Sequence, residues 1–151
     1  VEGRVSNVQL AGWPQAEDFV PALPADKGAA DAAAFEVAMM VRDVVTKALE
    51  DARAAKFINK SQEAAITVSA PDDILASCQA FDPAVFEELF IVSSVEFVLG
   101  DELSAEVLKA SGEKCPRCWN YRQLGGNPAH EDVCKRCGDA LDAIGWTPDE
   151  E

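Results

Sequence analysis

Two Cys-x-x-Cys pairs, Cys115-Pro116-Arg117-Cys118 and Cys134-Lys135-Arg136-Cys137, constrain this chain more than any other feature. The fifteen residues from Trp119 to Val133 separate them. A tight turn within each pair lets two thiolates converge on one ion, and two such turns supply the four-sulfur tetrahedron that Zn²⁺ favours. A closed site of this kind leaves no coordination position for water or substrate, so the expected metal, one zinc per chain, is structural. Gly138 follows the second pair, where a knuckle turn often needs a residue that tolerates positive φ.

The cysteines admit other chemistry. Disulfides are disfavoured because the cluster stands in an otherwise Cys-poor chain with no secretory signal, which points to a reducing compartment. A redox Cys-x-x-Cys needs one pair only, opening a helix after a strand, and Pro116 does not supply the missing βαβ context. Iron stays open, since spacing alone does not separate it from zinc. His130, four residues before Cys134, is expected at the surface or behind a ligand rather than in the metal set. Cys78 lies in an apolar helical pattern and reads as a small buried hydrophobe.

A net charge of −14 argues at first against nucleic acid, because phosphate binding rests on Lys and Arg. The distribution qualifies this. Between Lys109 and Cys137, six basic residues (Lys109, Lys114, Arg117, Arg122, Lys135, Arg136) stand against three acidic ones (Glu113, Glu131, Asp132). The metal module is thus a basic island on an acidic body, although a four-thiolate zinc centre carries a formal charge of −2 that offsets part of the excess. Trp119, Tyr121 and Trp146 interleave with Arg117, Arg122 and Arg136, a composition suited to stacking on unpaired bases. Equally, Trp119 fits a role packed over the knuckle.

No apolar run approaches the roughly 18–20 residues of a bilayer span, and a soluble, cytoplasmic protein is expected. The chain starts with Val rather than Met, which suggests a segment of a longer protein. Residues 1–30, with Trp13-Pro14, Pro21, Pro24 and Gly28, read as an extended linker that can lie along a partner through Trp13, Phe19 and Leu23. From Asp31, a candidate cap, Phe35, Val37, Val41, Val44, Val45, Ala48, Leu49 and Ala52 recur at helical spacing to about Lys56. A turn at Asn59 to Gln62 leads into an alternating strand, Glu63 to Ala70, with Ile66 and Val68 on one face. Pro71-Asp72-Asp73 opens a short helix, and Asp82-Pro83 opens another with Val85, Phe86, Leu89 and Phe90 on one side. Alternating segments follow at Val95 to Leu99 and Ser104 to Ala110. The fold class is therefore α+β: a long helix on a small sheet of about three strands, with short crossover helices, then a four-cysteine zinc-knuckle module. The expected division is a linker over 1–30, a small α/β domain over 31–110, a zinc-binding module over 111–144 and a flexible tail over 145–151. No phosphate-cradling Gly-rich loop and no nucleophile–base pattern appear, so the segment is expected to bind rather than catalyse.

Gly112-Glu113-Lys114-Cys115-Pro116-Arg117-Cys118-Trp119 with Cys134-Lys135-Arg136-Cys137 resembles the zinc-binding C-terminal end of bacterial isoleucyl-tRNA synthetase, a class I aminoacyl-tRNA synthetase. Upstream, Val8 to Pro14 resembles the segment leaving the anticodon-binding helical domain, and Ile58, Ser61, Glu63 and Ala64 resemble the entry to the small α/β domain. The resemblance spans about residues 8–144. It implies Cys115, Cys118, Cys134 and Cys137 as zinc ligands, and Lys114, Arg117, Trp119, Arg122, Lys135 and Arg136 as candidate RNA contacts. It further implies a monomer whose partners are an isoleucine-specific tRNA and the rest of a synthetase that joins isoleucine to that tRNA with ATP. The family's His-Ile-Gly-His-like and Lys-Met-Ser-Lys-Ser motifs are absent from this segment, which is not expected to be active alone. One departure is Asn59, where that family is expected to carry Gly after Ile; Asn tolerates the left-handed region, so the turn survives. The alternative expectation is a free-standing zinc-knuckle module that binds protein.

Overall fold

The computed structural model describes residues 12, 13, 15 and 25–146. The chain divides into two compact units, Val1–Ala33 and Ala34–Glu151. Phe19, Leu23 and the residues after Trp146 lie outside the described residues. Apart from the first turns of its opening helix, the architecture below belongs to the second unit.

Helix α1 runs over Ala25–Ala54 and begins six residues before Asp31, which is therefore inside the helix rather than its cap. The alanines at 25, 29, 30 and 32–34 carry high helix propensity, enough to tolerate Gly28. Ala38, Val41, Val45 and Leu49 form its buried stripe; Phe35, assigned to that stripe from periodicity, is exposed. The helix stops at a left-handed Lys56 (φ 58°), where the Phe57 amide reaches the Ala52 carbonyl (2.9 Å) and the Lys56 amide that of Arg53 (3.0 Å). This paired closure satisfies two terminal carbonyls. The left-handed residue is thus Lys56 and not Asn59, whose amide instead donates to Glu63 Oε2 (2.9 Å).

After a single 3₁₀ turn at Ser61–Glu63 comes β1, Ala64–Ala70, whose residues alternate strictly between buried and half-buried. Helices α2 (Asp72–Gln79) and α3 (Pro83–Phe90) form the crossover to β2 (Ser94–Leu99), which pairs with β1 in parallel; β3 (Ser104–Lys109) pairs with β1 antiparallel. The sheet order is β2-β1-β3. The register places Val95, Ile66 and Val107 in one row and Phe97, Val68 and Ala105 in the next. These rows share a core with the α1 stripe, Ile58, Cys78, Phe86, Phe90 and Val92. Phe86 sits at its centre, edge-on to Phe97 (ring centroids 4.8 Å apart) and Phe81 (5.9 Å). Cys78 is buried, and burial pushes its thiol up.

Asp82 caps α3 by accepting from the Ala84 amide (2.8 Å), and Pro83 opens the helix. Val85, expected on its packed side, is exposed instead. At the far end Ile91 adopts φ 59° while 61% exposed, an uncommon conformation for a β-branched residue. It turns the chain so that Val92 and Ser93 enter the interior. Beyond β3 the chain forms β4 (Glu113–Lys114), paired antiparallel with β5 (Tyr121–Arg122), and α4 (Lys135–Ala143). Among the described residues, no helix is long and apolar enough to cross a membrane.

Candidate metal centre

The first Cys-x-x-Cys turn is closed by the Trp119 amide donating to the Cys115 carbonyl and the Cys115 amide to the Asn120 carbonyl, both 2.9 Å. Trp119 supplies the left-handed residue (φ 66°). In the second turn the amides of Cys137 (2.9 Å) and Gly138 (3.0 Å) donate to the Cys134 carbonyl, starting α4. Gly138 is therefore helical, not left-handed. Its lack of a side chain answers to space, because a Cβ there would stand 2.5 Å from Asn127 Cβ. Gly112 is the residue that meets both demands, with φ 92° and the Arg122 backbone 2.7 Å from where a Cβ would be.

A bridge between Leu124 and Cys134 brings the two turns together. The sulfurs of Cys115, Cys118, Cys134 and Cys137 all lie within 4.8 Å of one another, and three of the four residues are buried. Tetrahedral bonds of about 2.3 Å place sulfurs about 3.8 Å apart. Cys118 and Cys134 are 3.8 Å apart at Sγ, and all five cysteines are free of disulfides. A disulfide would need about 2.0 Å. The Cys134 amide points at Cys115 Sγ (3.4 Å). Burial opposes charge on Cys115, but donation from the backbone of Cys118, Cys134 and Arg117 outweighs it and holds the thiol at about 6. Cys118 is pushed up to about 12, by burial first and then by the neighbouring sulfurs. Four crowded thiols resist ionising together, and a divalent cation reverses that balance; the donor set fits a soft four-coordinate metal.

His130 is buried rather than at the surface, and its ring is outside the sulfur cluster. It pairs with Asp142 (Nε2–Oδ1 3.2 Å) and lies beside Trp146 (centroids 5.7 Å). Asn127 supports the same corner, donating to Asp142 (2.6 Å) and Asp139 (3.3 Å) and accepting from the Ala129 amide (2.9 Å).

The six candidate RNA contacts separate into two groups. Arg122 is ion-paired with Glu87 of α3, and Arg136 with Glu88 of the same helix. Lys135 pairs with Asp139 one turn along α4 (2.6 Å). Trp119, by contrast, is 56% exposed, with the ammonium groups of Lys114 and Lys60 each 5.9 Å from its ring centre. Arg117 is exposed at a shallow hollow with Pro116, Asp132 and Trp146. Sequence reasoning missed Lys60, which lies fifty-four residues before Lys114 and gave no local signal. It also missed Ser93, 1% exposed, whose hydroxyl donates to the Gln62 carbonyl and accepts from the Tyr121 amide (2.7 Å), joining the α/β body to β5.

Residues 112–140 match the family described as a zinc finger found in FPG and IleRS. Over 145 residues the chain is 36% identical to an isoleucine–tRNA ligase of Exiguobacterium sibiricum, covering 92% of this chain and 15% of that one. It is 33% identical over 156 residues to that of Natranaerobius thermophilus, with 92% and 16% covered. A third, from Geobacter sulfurreducens, is 39% identical over 115 residues, covering 68% of this chain and 12% of the relative. The chain therefore spans about one-seventh of the length of the curated relatives it matches.

Proposed function

We propose that this chain is the zinc-bearing, tRNA-contacting segment of an isoleucine–tRNA ligase, with one structural zinc held by Cys115, Cys118, Cys134 and Cys137. The observation that carries the reading is similarity to these ligases over 92% of the chain, together with four convergent sulfurs in the zinc-finger match. The segment acts by binding; isoleucine activation with ATP and transfer to tRNA belong to the rest of a longer, cytoplasmic protein. That protein works as a monomer, and its remainder and the isoleucine tRNA are this segment's partners.

When bound, the metal would offset part of the thiolate charge and tie the two turns to each other. The chain's own residues then hold Trp119 outward as a stacking platform for an unpaired base, with Lys60 and Lys114 beside it to meet phosphate. Arg117 adds a further cation nearby in sequence. Arg122, Lys135 and Arg136 are occupied by carboxylates and contribute little to RNA affinity. With about three phosphate contacts, the slope of log K against log salt is about −2.

Titrating the chain with an anticodon stem-loop of isoleucine tRNA, following Trp fluorescence and filter retention at several salt concentrations, tests this. Weak, salt-sensitive binding that Trp119→Ala and Lys60→Ala each reduce is expected. Tight binding indifferent to salt, or binding unchanged by both substitutions, overturns the assignment of the surface.

A further inference from the structure

Among the described residues, two aromatic rings carry a lysine ammonium at cation–π distance, and both are exposed. Trp119 has Lys60 and Lys114, each 5.9 Å from its ring centre; Phe57, just after α1, has Lys109 at 5.6 Å. Phe57 belongs to the α/β body, outside the zinc-finger match at 112–140. Its backbone explains why the ring stands outward, 43% exposed. The Phe57 amide closes α1 on the Ala52 carbonyl (2.9 Å), and Ile58, 1% exposed, takes the interior place beside it. The two couples share one stretch of surface. Lys60, which reaches Trp119, stands three residues after Phe57, at most about 11 Å away between Cα atoms. Lys109, which reaches Phe57, ends β3 opposite Ala64, and the next amide, Ala110, donates to the Glu63 carbonyl (2.8 Å). Lys60, Glu63, Lys114 and Trp119 in turn line one small hollow.

The charge of this stretch is uncommitted. Arg122, Lys135 and Arg136 are each spent on a carboxylate, but none of Lys60, Lys109 and Lys114 has an ion-pair partner among the described residues. Glu63, the acid in the hollow, accepts from the Asn59 amide (2.9 Å). Exposed rings beside free cations suit a single nucleic-acid strand, whose bases stack while its phosphates take the charge; protein interfaces, by contrast, are depleted in lysine. We propose that Phe57 and Lys109 extend the RNA surface onto the α/β body: an unpaired strand stacks one base on Trp119 and another on Phe57, with Lys60, Lys114 and Lys109 at its phosphates. The inference rests on the RNA reading above and deepens it, since the ligand becomes a run of at least two unpaired nucleotides held across body and knuckle together.

The test is filter retention of the anticodon stem-loop of isoleucine tRNA on the purified, zinc-loaded chain at several salt concentrations. Phe57→Leu keeps apolar bulk but removes the stacking face, and is expected to weaken binding about fivefold or more. Phe57→Trp keeps a stacking face and should bind within about twofold of the parent chain or tighter. Lys109 adds a fourth phosphate contact to Lys60, Lys114 and Arg117, taking the slope of log K against log salt from about −2 to about −3, and Lys109→Gln should return it to about −2. A slope that Lys109→Gln leaves unchanged overturns the proposal. So does Phe57→Trp binding as weakly as Phe57→Leu, which would make Phe57 a matter of packing rather than stacking. Binding that Trp119→Ala weakens and Phe57→Leu does not overturns it too, assigning Phe57 to a contact with the rest of the longer protein while the RNA reading stands. Binding that neither substitution weakens overturns the RNA surface itself and this inference with it, so the two failures are distinct.

Discussion

Replacing Gly138 by Ala sets two effects of known sign against each other. In the interior of a helix Ala is favoured over Gly by up to about 1 kcal/mol. Against this, the new methyl carbon would lie 2.5 Å from Asn127 Cβ, 3.0 Å from its Cγ and 3.1 Å from its Nδ2. Two of these atoms are the root of a side chain pinned at its far end to Asp142, Asp139 and the Ala129 amide, so Asn127 cannot swing aside without breaking bonds. Overpacking costs about 1–3 kcal/mol, and each lost hydrogen bond about 1 kcal/mol. The net expectation is about 2 kcal/mol of local destabilisation. Native-state hydrogen exchange at the Cys137 and Gly138 positions reads this directly, because both amides donate to the Cys134 carbonyl. Exchange should quicken about thirtyfold. The sign should reverse when the obstacle is removed: in an Asn127→Gly background, Gly138→Ala should slow exchange by up to about fivefold, helix propensity now acting alone. If Gly138→Ala is neutral or protective in the parent chain, or if the double variant shows no reversal, the steric account of this glycine is wrong.

Other expectations follow from the same structure. Cys134→Ser should lose zinc and open the chain beyond about Lys114 to proteases while the α/β body stays intact, since a small knuckle draws its folding energy from the metal; unchanged resistance of that region would count against it. Ile91→Gly should stabilise the body by about 1 kcal/mol by relieving a left-handed β-branched residue, raising its melting temperature by about 4–8 °C. Ser93→Ala should cost about 1–3 kcal/mol and selectively deprotect the Tyr121 amide, which loses its acceptor. In the metal-free chain the knuckle loses the metal from which it draws its folding energy, so iodoacetamide should modify its four thiols before Cys78, which stays in the core of the α/β body; equal rates at all five would contradict that placement.

The elements with strong local signals were legible in the sequence. The alternation over Glu63 to Ala70, the helix start at Asp82-Pro83 and the two Cys-x-x-Cys pairs each state their structure within a few residues; the strand begins one residue later than expected, Glu63 lying in the 3₁₀ turn, and the rest fall where expected. What escaped depends on residues far apart. Arg122 and Arg136 look like free cations when charges are counted along the chain, yet their partners lie 35 and 48 residues away on α3. Gly138 looks like a turn glycine, and only the approach of Asn127 from another segment gives its actual reason. Left-handed positions fell on Lys56, Ile91 and Trp119, none of which propensity favours there, because the surrounding closures of helix and knuckle over-determine them. The start of α1 was missed for the opposite reason: Pro24 and Gly28 suggested a linker where an alanine-rich run already sustains a helix.

Because β1 occupies the middle of the three-stranded sheet, β2 and β3 each leave one row of backbone donors and acceptors with no strand partner among the described residues. Such rims invite a second copy to extend the sheet. Here the rims are only six residues long, and Glu96 and Glu106, which flank Thr67 on the face away from the core, stand one on each. Any antiparallel pairing of two β2 rims centred on these residues would set Glu96 against its own copy. The acidity of the body thus bears on its open edges: like charges standing on both rims oppose edge-to-edge pairing, most effectively at low ionic strength.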